Sequence, residues 1–175
     1  MSRLRYRLGQ GIRALLAVAT RPDLAGVQPL LSDCEYAAFC RLSRADQFHS
    51  TRVLEAVTRA DANAPTSLLK AALLHDIGKS RYPLAVWQKT LAVLVKSLAP
   101  GWSCRLSAGD NLTFLRAPFS VRAHHPRWSG EILRSCGTDE AVLWLVEHHQ
   151  SNPNSQENHP LHAQLVALQR ADNRS

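Results

Sequence analysis

His75-Asp76-Ile77-Gly78-Lys79 sets two adjacent metal-ligand side chains at the end of the apolar run Leu68, Leu69, Ala71, Ala72, Leu73, Leu74. A neutral imidazole beside a carboxylate is costly to bury in such a segment unless something binds both. A divalent cation meets that need, because imidazole and carboxylate are both good ligands for Zn, Fe or Mn. The remaining histidines point the same way. Six of the eight (His49, His75, His124, His125, His148 and His149) fall in or beside segments with helical apolar spacing. His49 precedes Val53 and Val57, His148 follows the run Val142-Leu143-Trp144-Leu145-Val146, and Asp172 follows Leu165, Val166 and Leu168. Each ends a core-facing stripe, where an inward polar group needs a partner. A single core histidine is ordinarily only hydrogen-bonded. Two double-histidine pairs and a His-Asp, all beside apolar runs, point to a bound metal.

The elements that must position these side chains read as helices. Alternating strand patterns are nearly absent while three-to-four-residue apolar spacing recurs, so the fold class is all-α. One helix spans Arg5 to Ala19 and stops at Arg21-Pro22. Ser32 or Asp33 caps a second through Tyr36, Phe39 and Leu42, and Asp46 begins a third carrying His49. Ala64-Pro65-Thr66-Ser67 is a turn and cap before the helix that leads to His75, with Gly78 as its stop. An apolar helix covers Leu84 to Leu98, and Trp102 to Arg122 is irregular. Pro126 to Arg134 starts the next helix, and Thr138 or Asp139 caps the one that reaches His149. Ser151 to Pro160 is an exposed loop before a last helix from Leu161 to Asp172. Residues 1–32 are expected to form a basic helix and linker packed on a domain of residues 33–175.

At 175 residues the chain suits one domain with a real core. Its net charge of +7 and pI near 9.7 favour anionic partners: nucleotides, nucleic acid or acidic lipid headgroups. The arginines are scattered rather than interleaved with aromatics, so nucleic acid is a secondary partner behind a small phosphorylated ligand. No apolar run approaches the roughly 20 residues that span a bilayer. Ala14 to Ala19 behind Arg3, Arg5, Arg7 and Arg13 is a poor leader, since Ala19-Thr20-Arg21-Pro22-Asp23 is a poor cleavage site. It reads as a basic amphipathic helix. Cys34, Cys40, Cys104 and Cys136 show no C-x-x-C spacing and are expected to be buried thiols of a cytoplasmic protein.

The order His49 … His75-Asp76 … Asp172 resembles the HD-domain superfamily of metal-dependent phosphohydrolases, and His75 to Lys79 matches its HDIGK variant letter for letter. His125-Pro126-Arg127-Trp128-Ser129-Gly130-Glu131-Ile132-Leu133 is similar to the H-P-x-x-G-x-x-I-L segment of HD-GYP and related cyclic-dinucleotide phosphodiesterases, with Ser129 at the Gly position. Val146-Glu147-His148-His149-Gln150 looks like their HHE helix with Gln for Glu. The Gly-Tyr-Pro signature is missing, because Gln-Ser-Asn-Pro-Asn-Ser follows His149. The likeness covers Phe48 to Asp172.

This resemblance implies an HD helical bundle with a metal centre in its core. It implies a phosphohydrolase or phosphodiesterase that cleaves a phosphoester of a nucleotide or related small substrate with a metal-activated hydroxide. His49, His75, Asp76 and Asp172 would hold one ion, and Asp76 would bridge to a second held by His125 and His148, giving a dinuclear Fe, Mn or Zn centre. Asp76 and Lys79 would serve catalysis, Lys79 as a point charge for the phosphate oxygens. Neighbouring helical residues point about 100° apart, so His149 is assigned to the substrate, as is Arg52, which follows His49 by three residues on the same helix face. His125 is favoured over His124 because Pro126 follows it. The second reading is a non-catalytic, metal-stabilised signalling or binding module. His159 and His162 are expected to be solvated, and the tryptophans to be core, with Trp128 the one able to line the pocket.

Overall fold

The structure, a computed structural model, describes residue 24 and residues 26–82 and 117–175. The expected helices Arg5 to Ala19 and Leu84 to Leu98, and the stretch from Trp102 to residue 116, lie outside the described residues. Among the described residues there are six α-helices and no strand. They are α1 Asp33–Cys40, α2 Arg44–Ala60, α3 Thr66–Leu74, α4 Ala117–Ser135, α5 Glu140–His148 and α6 His162–Arg174. Short 3-10 turns cover Gln28–Leu30, Ile77–Arg81 and Pro153–Gln156.

Local chemistry sets most helix starts. Ser32 and Glu35 form a reciprocal capping box on α1: the Ser32 hydroxyl accepts from Glu35 N at 3.3 Å, and Glu35 Oε2 accepts from Ser32 N at 2.8 Å. The Ser43 hydroxyl accepts from Asp46 N, so α2 begins at Arg44, ahead of the expected Asp46. Asp139 caps α5 by accepting from Ala141 N at 2.8 Å. Thr138 instead donates to Glu35 Oε1 at 2.9 Å. Burial alone would raise the Glu35 carboxyl, but Lys70 at 2.8 Å, the Ser32 amide and Thr138 outweigh it and hold it below its ordinary value.

One apolar cluster draws on all six helices, through residues such as Phe39, Val53, Leu73, Leu133, Leu145 and Leu165. Val27 and Leu31, which precede the expected boundary at residue 33, are buried in the same cluster. At its centre α3 packs against α2, α5 and α6, and Ala71 to Leu74 are fully buried. Each leucine so buried contributes about 1.5–3 kcal/mol relative to exposure. The helix that ends at His75 is therefore clamped from three sides.

Three expectations are corrected. The helix expected to start at Pro126 starts at Ala117, with Pro126 in its interior. Pro126 has no N–H, so it leaves the Arg122 carbonyl without its helical donor. His125 Nδ1 takes that place, 3.1 Å from Arg122 O and 3.0 Å from Val121 O. Gly78 does not end α3; it lies in the following 3-10 turn. Cys34 and Cys136, expected as thiols, form a disulfide with Cα atoms 5.4 Å apart, tying α1 to the turn after α4. Cys40 is free and exposed.

Candidate metal centre

Gly78 explains how Asp76 is presented. The turn Ile77–Arg81 presses against α4 so closely that a Cβ at Gly78 would lie 2.2 Å from His125 O and 2.8 Å from Ser129 N. Only glycine permits that approach. The Gly78 amide donates to Ser129 Oγ at 2.8 Å, and the Ser129 hydroxyl donates to His75 O at 3.0 Å. One buried hydroxyl thus holds the backbone on both sides of Asp76.

The polar side chains of α2, the end of α3, α4, the end of α5 and α6 then converge. His49 Nε2 is 2.9 Å from Asp172 Oδ1 and 3.9 Å from Asp76 Oδ2. His75 Nε2 is 3.5 Å from Asp76 Oδ2 and 3.8 Å from Asp172 Oδ1. His125 Nε2 lies 3.2 Å from Asp76 Oδ1 and 3.2 Å from His149 Nε2. Two groups able to hold an ion result, His49/His75/Asp76 and Asp76/His125/His149, and Asp76 belongs to both. Lys79 Nζ forms an ion pair with Asp76 Oδ2.

The outer nitrogens explain the orientation of the rings. Nδ1 lies against a backbone carbonyl in His75 (Ala72 O, 3.0 Å), His125 (Val121 O) and His149 (Val146 O, 2.7 Å). A carbonyl only accepts, so Nδ1 carries the proton and Nε2 turns a lone pair inward. His75 Nε2 is buried with no hydrogen-bond partner, and the carboxylate oxygens of Asp76 at 3.5 Å and Asp172 at 3.8 Å cannot donate to it. A cation is the partner that fits a lone pair and two carboxylates.

Electrostatics favour neutral imidazoles at His75 and His149 and ionised carboxylates at Asp76 and Asp172. Burial pushes the His75 imidazole down, against the opposing pull of Asp76 and Asp172. Burial, then His75 and His125, pushes His149 down to about 3. Burial would raise the Asp76 carboxyl, but Lys79, His75 and His125 hold it well below the usual carboxylate range. Burial also opposes Asp172 ionisation and is outweighed by the hydrogen bond from His49 and by His75. Neutral imidazoles and ionised carboxylates are the states that bind metal.

The geometry brings His49, His75, Asp76, His125 and Asp172 together, and of the α5 pair it turns His149 rather than His148 toward them. His149 Nε2 faces Asp76 and His125, whereas His148 stacks on Trp144 with centroids 4.5 Å apart and Nδ1 2.8 Å from Trp144 O. The reason is rotation: α5 ends at His148, and His149, as its cap, turns inward beside Val146. Arg52 lines a cleft between α2 and α6. His124 sits 5.8 Å from Trp128, which is buried beneath the Arg81 guanidinium. His159, expected to be solvated, is half-buried and stacks on Trp144 at 3.6 Å. Gln150 went unassigned from the sequence: its amide Nε2 lies 3.3 Å from His125 Nε2, at the exposed rim. The signal was present, since Gln150 stands where the HHE segment carries Glu.

A family model for the HD domain matches residues 48–175, most of the chain. The chain belongs to the HD-domain family. Its fold is the all-α HD bundle, and its superfamily is one of metal-dependent phosphohydrolases. No curated protein and no solved structure matches it. No helix among the described residues is long and apolar enough to cross a membrane.

Proposed function

We propose that this HD-domain chain is a metal-dependent phosphohydrolase acting on a phosphoester of a nucleotide or related small phosphorylated substrate. The observation that carries the reading is His75 Nε2, buried without a partner between two carboxylates, at the edge of two ligand groups that share Asp76. In this reading His49, His75, Asp76 and Asp172 hold one ion, and Asp76, His125 and His149 hold the second, both Fe, Mn or Zn. When bound, the ions polarise a phosphoryl oxygen and make water a nucleophile near neutral pH.

The protein supplies the rest. The carbonyl-anchored Nδ1 atoms fix ring direction, so the ligands need not reorganise on binding. Lys79 Nζ, tethered at Asp76, is a positive charge within reach of the phosphate oxygens as negative charge grows on them. Burial disfavours its charge, but Asp76, Asp46 and Asp172 more than compensate and raise its pKa. The Gln150 amide can donate to an ester or phosphoryl oxygen at the rim. The HDIGK sequence and the His125 to Leu133 segment support an HDIG-type enzyme related to cyclic-dinucleotide phosphodiesterases, outside the HD-GYP class for want of Gly-Tyr-Pro.

The test is elemental analysis of anaerobically purified protein followed by a phosphoester panel with Mn²⁺ or Fe²⁺. His75→Ala and Asp76→Ala should lose both metal and turnover, and retained stoichiometry in either refutes the assignment. Lys79→Ala should keep metal while kcat falls by roughly 10²–10³, the loss for one removed charge-stabilising donor. Bound metal with no turnover of any ester by the native protein would leave a non-catalytic module in place of an enzyme.

A further inference from the structure

At the end of α5 opposite His149, α1 is bound at two neighbouring points to the turn that joins α4 to α5. Cys34 is bonded to Cys136, the first residue past α4. Beside it the buried Glu35 carboxylate accepts from Thr138 Oγ1 at 2.9 Å and from Lys70 Nζ of α3 at 2.8 Å. The turn itself is closed by its own backbone. Gly137 adopts φ +67°, and the amides of Gly137 and Thr138 return to Arg134 O at 3.1 Å and Leu133 O at 3.2 Å. A left-handed glycine with two such bonds ends a helix without outside help. Asp139 then caps α5. The disulfide is thus not needed to make the turn; it fixes the turn to α1.

The two helices joined there carry His125 and His149, which with Asp76 make the second ligand group. At 1.5 Å rise per residue, both histidines lie ~15 Å from the turn along their helices. Their Nε2 atoms are 3.2 Å apart, so a small pivot of α4 against α5 alters the spacing they offer an ion. The first group is held differently, because His75 ends α3, which packs against α2, α5 and α6. Solvent reaches the disulfide: Cys34 is exposed and Cys136 half-buried. Exposed disulfides are the labile kind. Opening this one leaves α1 docked, since Ala38, Phe39 and Leu42 stay in the apolar core and Glu35 keeps Lys70. The bond can therefore be broken and remade on a folded chain.

We propose that the Cys34–Cys136 bond is a reducible clamp that sets the affinity of the second ion, the one held by Asp76, His125 and His149. This rests on the metal-centre reading of the cluster. The co-reactant is a dithiol. Its thiolate attacks Cys34 Sγ, the S–S bond breaks, and Cys136 leaves as a thiolate that takes up a proton. The second thiol of the reductant then attacks the mixed disulfide and releases Cys34 as a thiol. Two electrons and two protons pass to the protein, and the dithiol closes into its own disulfide. The opened turn keeps its Gly137 and Thr138 backbone bonds but is no longer fixed to α1. The α4 and α5 helices then shift against each other, and the second group loosens.

The test compares the native protein before and after treatment with dithiothreitol, removed without oxygen before Mn²⁺ is titrated against a coloured chelator. Alkylation with peptide mass mapping follows Cys34 and Cys136, and circular dichroism follows the helices. Both cysteines should become alkylated with helix content retained. The second Mn²⁺ should then bind roughly tenfold or more weakly, a coupling of ordinary size between distant sites, with the first little changed and reoxidation restoring both. Cys34→Ser/Cys136→Ser should show the weak second site with or without dithiol, and Cys40→Ser should respond as the native protein does. His149→Ala, which keeps only the first group, should lose the redox dependence. A disulfide that opens only as the helices melt overturns the clamp and leaves the metal centre standing. Affinities unchanged by reduction, or weakened equally for both ions, do the same. Oxidised protein that binds no Mn²⁺ overturns the metal-centre reading and the clamp with it.

Discussion

Ser129→Ala isolates the hydroxyl on which the position of Asp76 depends. Ser129 Oγ accepts from the Gly78 amide at 2.8 Å and donates to the His75 carbonyl at 3.0 Å, and the residue is fully buried. Alanine keeps the Cβ and removes only these two bonds. A buried N–H left without an acceptor costs about 1–3 kcal/mol, and the second lost bond adds about 1 kcal/mol. The sum, about 2–4 kcal/mol, corresponds to a fall in Tm of about 5–15 °C for a chain of this size. Metal affinity should fall as well, by roughly 10–100-fold, the range for lost partners of a metal ligand. Thermal melts with chelator and with Mn²⁺, and a competition titration against a coloured chelator, read the two effects separately. A Tm within about 1 °C of the native value would refute the hydrogen-bond geometry. A lowered Tm with undiminished metal affinity would retain the bonds and refute their control of Asp76.

Three further outcomes are expected. His149→Ala should lose the second ion while His148→Ala keeps full stoichiometry by elemental analysis, because the His148 ring packs on Trp144 outside both groups; the converse pattern would restore the order expected from the sequence. The metal-free protein should lose stability in acid: His149 titrates near 3 when folded and near 6.5 when unfolded, so below about pH 6.5 the unfolded chain takes up a proton that the folded chain refuses. The depressed His75 adds a loss of the same sign in that window, and Asp76 and Asp172, whose folded values are also lowered, add theirs below about pH 4. Melts in chelator between pH 8 and pH 4 with a constant Tm would contradict this. Cys34→Ser/Cys136→Ser should melt earlier than the native protein without reductant, because a bond closing a loop of 102 residues removes up to about 4–5 kcal/mol of chain entropy from the unfolded state. Identical melts would show that the two sulfurs are not bonded in solution.

What the sequence made legible was local. Ser32 or Asp33 marks the start of α1, and Thr138 or Asp139 that of α5, because a cap is made by residues within three positions of one another, and the structure selects Ser32 and Asp139. The cluster was legible because imidazoles and acids beside apolar runs have few other uses. What stayed hidden depends on distant chain or on rotation. Cys34 meets Cys136 only after α1 docks against the turn following α4. Whether His148 or His149 faces inward turns on where α5 stops, which ±1 residue decides. The α4 residues ahead of Pro126 were obscured because proline is commoner at a helix start than inside one.

Pro126 and Gly78 also bear on why His125 and Asp76, and not their neighbours, meet. Both are poor helix formers, and each sits next to or near a buried member of the cluster, His125 or Asp76. Pro126 withholds a donor from Arg122 O, and that carbonyl becomes a second acceptor for His125 Nδ1, which turns Nε2 toward Asp76. Gly78 removes the Cβ that would strike His125 O, and the turn carrying Asp76 closes onto the same stretch of α4. Each residue gives up helical regularity at one point, and at both points the ring or carboxylate gained is one that faces the shared centre. The irregularities in the His-Asp and His-Pro segments therefore serve the placement of Asp76 and His125 within the cluster.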